Sequence, residues 1–557
     1  MPQDAFTLFH TAKELDRLLR GAKINKVSQP DKDDVYLLTY SAMGSRTLVL
    51  SANAENCRVG FTENEKPNPK IAPNFCMLLR KHLPGSEIQS VELVGFERIV
   101  KITFNCKNDF RENVVKILYC EIMGKYSNLI LTENGIILGC LKNAPLDVAT
   151  TRVTLSGAKY SLPKPQDKAD VFNRGEIAEK MKTFNGNDLP KFLFENIKGM
   201  SFPTAAECSA RVTLEGGDVA KQIENFLLFP EIRPNIAGEG KLKDVYVADY
   251  LTIGGNKTFF DEISAAADNF YSAKERTKLF DSTKKKLLDK VNGVIKKLNK
   301  KLQGESEKIA EAQNLESLKL KGELLTANLW KIKEGEEFCV VENYYDEYKP
   351  VKISLDKTLS PNRNAQRYFK KYAKQKRALE IIIPQKLQTE KELEYLSTVN
   401  FEISQAQTVA DFKDIETELV SAGLLPAPKF RKKAENESTY RVYEIDGFTI
   451  KCGKNNLQND RLTGRAFKDD LWLHTKNYHS AHVIIETKGE GIPDKIVEIA
   501  AEICAYYSDA RGGNKVPVDY ALKKFVKKPP QSKPGSVIYT DYKTCFVDPS
   551  PHDELAK

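Results

Sequence analysis

The chain has 557 residues, enough for three or more domains, each with its own core. Its 85 basic and 76 acidic residues leave a net charge of +9, too small a mean excess to name a partner, so the placement of the lysines matters more. The ten cysteines include no C-x-x-C pair, which argues against a zinc ribbon or redox dithiol and for reduced thiols. No apolar run approaches the ~20 residues that a bilayer requires, and Met1-Pro2-Gln3-Asp4 lacks the basic and apolar regions of a secretory signal. The expectation is a soluble, cytoplasmic protein without membrane contact.

Residues 1–170 read as a mixed α/β domain. Leu8, Leu15, Leu18 and Leu19 give a first helix its apolar face. Strand-like runs follow at Val35–Leu38, Thr47–Leu50 and Ile117–Ile122. Leu129–Leu131 and Ile136–Leu138 flank Asn134-Gly135, a two-residue hairpin signal. The domain ends near Tyr160–Pro165. Residues 171–225 read as helical. There, Ile197-Lys198-Gly199-Met200-Ser201 fits the turn of a helix-hairpin-helix, whose amides can face a phosphate, or equally a plain packing turn.

After a connector at 226–261, residues 262–320 place Phe280, Leu287, Val291, Val294, Leu298, Leu302 and Ile309 at steps of three, four or seven. Lys284, Lys285, Lys286, Lys290, Lys296, Lys297, Lys300 and Lys301 crowd the other faces. This is a coiled-coil pattern. A second helix at 362–424 carries Phe369, Tyr372, Leu379, Ile383, Leu387, Leu396 and Ile403, with a kink or break expected at Pro384. Between them, residues 321–361 hold strand-like Phe338–Val341. The simplest arrangement is an antiparallel coiled-coil arm with a small β-containing tip. Its lysine faces are either solvated surface or tracks for phosphates.

A polar linker at 425–437 leads to a last α/β domain at 438–557. Tyr440–Ile445, Asp446-Gly447 and Phe448–Lys451 read as a hairpin, Leu471–Leu473 and Ala481–Ile485 as buried strands, and Ile496, Ile499, Ile503 and Tyr507 as a helix face. Between Tyr520 and Thr540 stand Lys523, Lys524, Lys527, Lys528 and Lys533 without a single acid, which favours phosphate contacts. From Lys451 to Lys533, small polar, cationic and flat side chains interleave without any nucleophile–base constellation. That mix suits gripping RNA better than breaking a bond.

Three chemical candidates weigh against blander readings. His474, His479 and His482 lie close in sequence, but no cysteine is near and strand alternation is expected to split them between faces, so they read as hydrogen-bonding residues of a polar surface and no metal is assigned. Met1-Pro2 echoes the proline amine of formamidopyrimidine-type DNA glycosylases, yet Gln3 stands where those enzymes need a glutamate. Phe96-Glu97-Arg98 is either a surface ion pair of little energetic worth or a contact to phosphate and base.

Three blocks in order carry a resemblance: Glu121–Ile130, Asn364–Tyr372 and Lys451–Lys533. Together they resemble the NFACT family, which includes bacterial RqcH proteins, also labelled fibronectin-binding proteins, and eukaryotic NEMF. The resemblance implies a multidomain α+β fold: a glycosylase-like N-terminal domain (1–170), a helix-hairpin-helix domain (171–225), the coiled-coil arm and an NFACT-R RNA-binding domain (438–557). It implies binding to a large ribosomal subunit obstructed by peptidyl-tRNA, and recruitment of tRNA, alanyl in bacteria, to tail the stalled chain without mRNA. The ribosome makes the bonds, so no catalytic residue and no cofactor are expected, and the protein acts as a monomer on the subunit. Asp4 matches a family aspartate for tRNA, and Glu97-Arg98 an Asp–Arg pair with the longer acid. Lys125 and Asn128 join them as expected tRNA contacts. The expected rRNA contacts are Lys454, Asn455, Asn456, Asp460, Arg461, His474, Lys476, His482, Arg511, Lys515, Lys523, Lys524, Lys527 and Lys528. Asn477–Ala481 departs from the family's Ile-Pro-Gly-Ser-type loop. A surface adhesin binding fibronectin is the alternative function.

Overall fold

The computed structural model describes residues 3–42, 44–108, 110–144, 152–164, 166–240, 243–427, 439–487, 489, 491–530 and 532–557. Pro2 and most of the expected linker lie outside them. The chain divides into two compact units, Met1–Thr277 and Lys278–Lys557.

In the first unit, α1 (Ala5–Leu19) starts on Asp4, whose carboxylate accepts the Thr7 N–H at 2.8 Å. There follow β1 (Lys23–Ser28), β2 (Asp34–Ser41), β3 (Gly44–Ser51), β4 (Arg58–Thr62), α2 (Asn74–His82), β5 (Glu87–Leu93), β6 (Ile99–Lys107), β7 (Asn113–Glu121), β8 (Asn128–Glu133) and β9 (Ile136–Cys140). The strands form one antiparallel sheet in the order β4-β3-β2-β1-β5-β6-β7-β8-β9. Leu8, Leu15 and Leu19 of α1 and Phe75 and Leu79 of α2 bury the apolar face of that sheet. The β8–β9 turn is the one Asn134-Gly135 dictates: both residues take positive φ, +50° and +76°, the hand that matches the strand twist.

Helices α3 (Arg174–Met181), α4 (Leu189–Asn196), α5 (Phe202–Glu215) and α6 (Val219–Leu228) follow. The helical segment thus runs to Leu228 instead of 225, because Phe226 and Leu227 complete its core with Ile177, Leu193 and Ile223. Phe6 of α1 and Phe96 belong to the same core, so the helices and the sheet domain are packed into one unit. The connector carries a small sheet absent from the sequence reading: β10 (Asn235–Ala237), β11 (Asp244–Tyr246) and β12 (Thr258–Phe259), in the order β11-β10-β12.

Helix α7 (Ile263–Glu311) contains the boundary between the units. A 3₁₀ turn at Ala312–Asn314 interrupts it, and α8 (Leu315–Ala327) continues into the segment expected to be tip. The tip pairs β13 (Phe338–Asn343) with β14 (Lys349–Ser354), antiparallel. Helix α9 (Pro361–Gln405) returns, and α10 (Val409–Ser421) closes the base through a capping box of Thr408 and Asp411. Leu287 and Val291 of α7 meet Leu396, Val399 and Ile403 of α9, while Leu324 and Leu325 of α8 share a core with Ala365. Rising numbers on one side thus meet falling numbers on the other, so the helices are antiparallel. Neither a break at Pro384 nor a continuous apolar stripe is found here. Helix α9 runs through Pro384, at a place where the proline and Glu380, whose carbonyl loses its helical donor, are both exposed residues. Ile383 and Leu387 are more than half exposed, so the apolar stripe does not cover the middle of this helix.

The last domain holds β15 (Arg441–Ile445), β16 (Phe448–Cys452), α11 (Asn456–Arg465), β17 (Leu471–Thr475), β18 (Val483–Glu486), α12 (Asp494–Tyr506), β19 (Val516–Leu522), β20 (Val526–Lys527), β21 (Ile538–Tyr539) and β22 (Lys543–Val547). Six strands form a sheet in the order β15-β16-β18-β17-β19-β22, and β20 pairs with β21. Helix α12 covers one face over Leu473, Val483 and Ile485. On the other face, Trp472, Ile484 and Ala521 pack against Leu462 of α11.

Candidate nucleic-acid interface

In the first unit the β5–β6 turn carries Phe96, Glu97 and Arg98. Phe96 is fully buried and anchors the turn, leaving Glu97 and Arg98 half-buried at its surface. The Arg98 carbonyl accepts the Ile122 N–H at 2.8 Å, which brings the turn beside the segment after β7. There Gly124 takes φ +61° and the Met123 N–H donates to Ser127 Oγ at 2.8 Å. The turn they shape presents Tyr126, 72% exposed, with the Lys125 ammonium 4.9 Å from its ring centre. Arg98 and Lys125, 27 positions apart in sequence, are therefore carried on adjacent segments.

Asp4 and Asn128 are placed differently. Asp4 is buried, and besides Thr7 it accepts from Ser201 N–H (3.2 Å), Ser201 Oγ–H (2.7 Å) and Thr204 Oγ1–H (2.6 Å). Its carboxylate fastens the start of α1 to the start of α5. In the Ile197–Ser201 turn, read from sequence as either a phosphate-facing turn or a plain packing turn, the Ser201 amide is thereby occupied by Asp4. Gly199 completes the joint: it takes φ +75°, its carbonyl accepts the Ala5 N–H at 2.9 Å, and a Cβ there would lie 2.6 Å from the Phe96 carbonyl oxygen. Asn128, also buried, donates to the Lys142 carbonyl and accepts the Leu129 and Lys142 N–H groups at 2.8–2.9 Å. Both residues thus hold the backbone that presents Arg98 and Lys125.

In the second unit the polar stretch from Lys451 separates in the same way. Asn455 caps α11 by accepting the Gln458 N–H at 2.9 Å, and Asn456 donates to Glu418 Oε1 at 3.1 Å; both are buried. The chain before α11 comes so close that a Cβ on Gly453 would overlap Asn459 Oδ1. Lys454 is mostly buried, 3.9 Å from Asp411. Helix α11 escapes a hydrophobic reading because all its buried residues but Leu462 are polar: Asn456, Gln458, Asn459 and Thr463.

The histidines correct the sequence reading. Trp472 pairs with Ile484 across β17 and β18, and the same register sets His474 opposite His482. Their rings stand 5.5 Å apart on one face, where His474 stacks on Trp472. His482 is buried and bonds Thr463 Oγ1 through Nδ1 at 2.8 Å, with its N–H on Asn459 Oδ1 at 3.0 Å. Burial lowers the pKa of His474 to about 4 and of His482 to about 3, so both are neutral near pH 7. Among the described residues no group of three or more potential ligands surrounds them. His479 lies apart, bonded to Thr398 at 3.0 Å and Ser397 at 3.2 Å. In the same loop Asn477 takes φ +62°, a conformation asparagine tolerates without the missing glycine.

The cations that do reach solvent surround this scaffold. Lys476 lies 5.0 Å from the Tyr542 ring, Arg511 stacks 3.8 Å over Tyr506, and Lys515 is exposed at φ +52°. Lys524, Lys527 and Lys528 are exposed and Lys523 half-buried; Lys528 pairs with Asp460 at 2.5 Å. Asp460 and Arg461 occupy the half-buried flank of α11. The Lys533 ammonium is instead tucked 4.3 Å over the Tyr395 ring. The surface is a set of cations, several with an aromatic partner, over a buried amide–histidine frame.

Family comparison decides what this arrangement belongs to. Residues 4–438 match the family model for NFACT N-terminal and middle domains, and residues 438–541 match the NFACT protein RNA binding domain. The chain belongs to the NFACT family. It is 34% identical to the Rqc2 homolog RqcH of Bacillus subtilis (strain 168), over 99% of this chain and 98% of that protein. The Rqc2 homolog RqcH of Streptococcus suis (strain 05ZYH33) is 31% identical over the same shares. A solved structure, the N-terminal of the fibronectin/fibrinogen-binding protein from Streptococcus suis, matches with TM-score 0.44 and 26% identity, covering 48% of this chain and 99% of that one. Within this NFACT chain the sequence reading passed over two surface aromatics, Tyr126 and Phe467, the second 79% exposed. Their adjacent lysines, Lys125 and Lys468, are the signal that could have found them.

Proposed function

We propose that the protein is a ribosome quality control factor that binds a large ribosomal subunit obstructed by peptidyl-tRNA. It recruits tRNA, alanyl in this reading, so that the stalled nascent chain receives a C-terminal tail without mRNA and is marked for degradation. The carrying observation is the match of both halves of the chain, along almost their entire length, to relatives named Rqc2 homolog RqcH. Two features of the fold support the division of labour. Arg98 and Lys125 on adjacent segments supply a compact cationic site with an exposed tyrosine, suited to an unpaired tRNA loop. The cation–aromatic surface of the last domain suits rRNA or tRNA backbone.

The peptide bonds are made by the ribosome, so the protein acts as a binding and positioning factor in the cytoplasm, without a cofactor and as a monomer on the subunit. No helix among the described residues is long and apolar enough to cross a membrane. Reconstitution tests the function: purified protein, obstructed large subunits and charged tRNA are mixed, and tail length is read on a gel. Tails that lengthen only when protein and tRNA are both present are expected; subunits that bind neither contradict the reading. Labelling of intact cells separates it from a surface adhesin.

A further inference from the structure

Phe467 carries information beyond general RNA affinity, although the inference rests on the RNA-binding reading of the last domain. Its ring is 79% exposed and belongs to no core. Burying such a side chain is favourable, a gain this fold does not take. Loop mobility does not account for the exposure, because the turn between α11 and β17 is pinned. The Phe467 N–H donates to Asp470 Oδ2 at 2.8 Å, and the Asp470 N–H returns to the Phe467 carbonyl at 3.1 Å. Asp470 is itself buried, and its other oxygen accepts the Thr487 N–H at 3.1 Å.

The same turn is stitched to the lysine-rich segment. Lys523 N–H donates to the Asp470 carbonyl at 2.8 Å, and Lys524 N–H to the Lys468 carbonyl at 3.0 Å. Lys468 and Lys524 are exposed on these two stitched segments beside the exposed Asp469, and Lys527, three residues after Lys524, is exposed as well. An aromatic ring held out rigidly among lysines differs from a protein-docking hot spot, where lysine is depleted. It matches the way unpaired nucleotides are held, with a flat ring under the base and cations on flanking phosphates. A duplex offers no free base face to such a ring.

We propose that Phe467 stacks on an unpaired RNA base while Lys468, Lys524 and Lys527 hold the neighbouring phosphates. The test uses the full chain and a single-stranded oligoribonucleotide carrying 2-aminopurine, beside the same RNA annealed to its complement. Phe467→Ala is expected to weaken single-strand binding about tenfold and abolish fluorescence quenching, with duplex affinity and Tm unchanged. Phe467→Tyr is expected to keep both signals. The double variant Lys524→Ala/Lys527→Ala is expected to weaken both RNAs and flatten the salt dependence. Unchanged quenching in Phe467→Ala, or equal losses on single strand and duplex, overturns the stacking inference while a lysine effect leaves the RNA-binding reading standing. If the lysine variant also binds both RNAs as wild type does, the RNA-binding reading of this face falls with it.

Discussion

At the residue scale, residues that read alike in sequence do two different jobs. Asp4, Asn128, Asn455, Asn456 and His482 are buried and satisfy backbone or side-chain partners, while Arg98, Lys125 and the lysines after Tyr520 lie at or near the surface. Sequence could not separate them, because an amide suits both RNA and a helix cap. The Ser201 and Thr204 partners of Asp4 lie 197–200 positions away, beyond any local pattern. Arg98→Ala should therefore reduce tRNA recruitment while binding to the large subunit persists; equal loss of both, measured by co-sedimentation, would refute that assignment. Gly199→Ala should act through the fold. The positive φ costs a β-carbon ~1–2 kcal/mol, and the clash with Ala5 and Phe96 adds more, so thermal melting should show a loss of about 2–4 kcal/mol. A Tm equal to wild type would mean that the joint beside Phe96 is not tight.

At the element scale, periodicity and turn chemistry were legible and helix continuity was not. The Asn134-Gly135 and Asp446-Gly447 hairpins stand where predicted because their positive-φ pairs are locally encoded. The 3₁₀ turn at Ala312–Asn314 and the passage of α9 through Pro384 depend on what surrounds the helix. Pro384→Ala restores one helical hydrogen bond at an exposed site and should stabilise the protein by about 1–3 kcal/mol in denaturant unfolding. Unchanged or lowered stability would contradict this.

The base of these helices adds a pH effect. Burial pushes the Glu418 carboxyl up to about 7 from an ordinary 4.5, against hydrogen bonds from Tyr395 and Asn456. Burial and the Glu418 charge raise Glu402 as well. A raised carboxyl holds its proton in the folded state where the unfolded chain has released it. Its favourable share is complete below pH 4.5 and is lost as pH rises through about 7. Glu418→Gln keeps an acceptor for Asn456 and cannot ionise. It should melt higher than wild type at pH 8, with the gap closing toward pH 5; a gap that widens on acidification would contradict this.

At the scale of the whole molecule, the order of elements was readable because each stretch has its own signature: alternation, then helical periods, then a polar basic block. The connector sheet of two- and three-residue strands was too short to show. The face shared by His474 and His482 was missed because side-chain alternation was counted along one strand, whereas the antiparallel register makes them cross-strand neighbours. What emerges is a chain whose two units each present cations on a buried polar frame. RNA sequencing after affinity capture from cells with stalled translation tests this most directly, comparing wild type with Arg98→Ala. Wild type should enrich large-subunit rRNA and a narrow set of tRNAs, and the variant should keep the rRNA while losing the tRNA. Wild-type captures without large-subunit rRNA and tRNA would contradict the account.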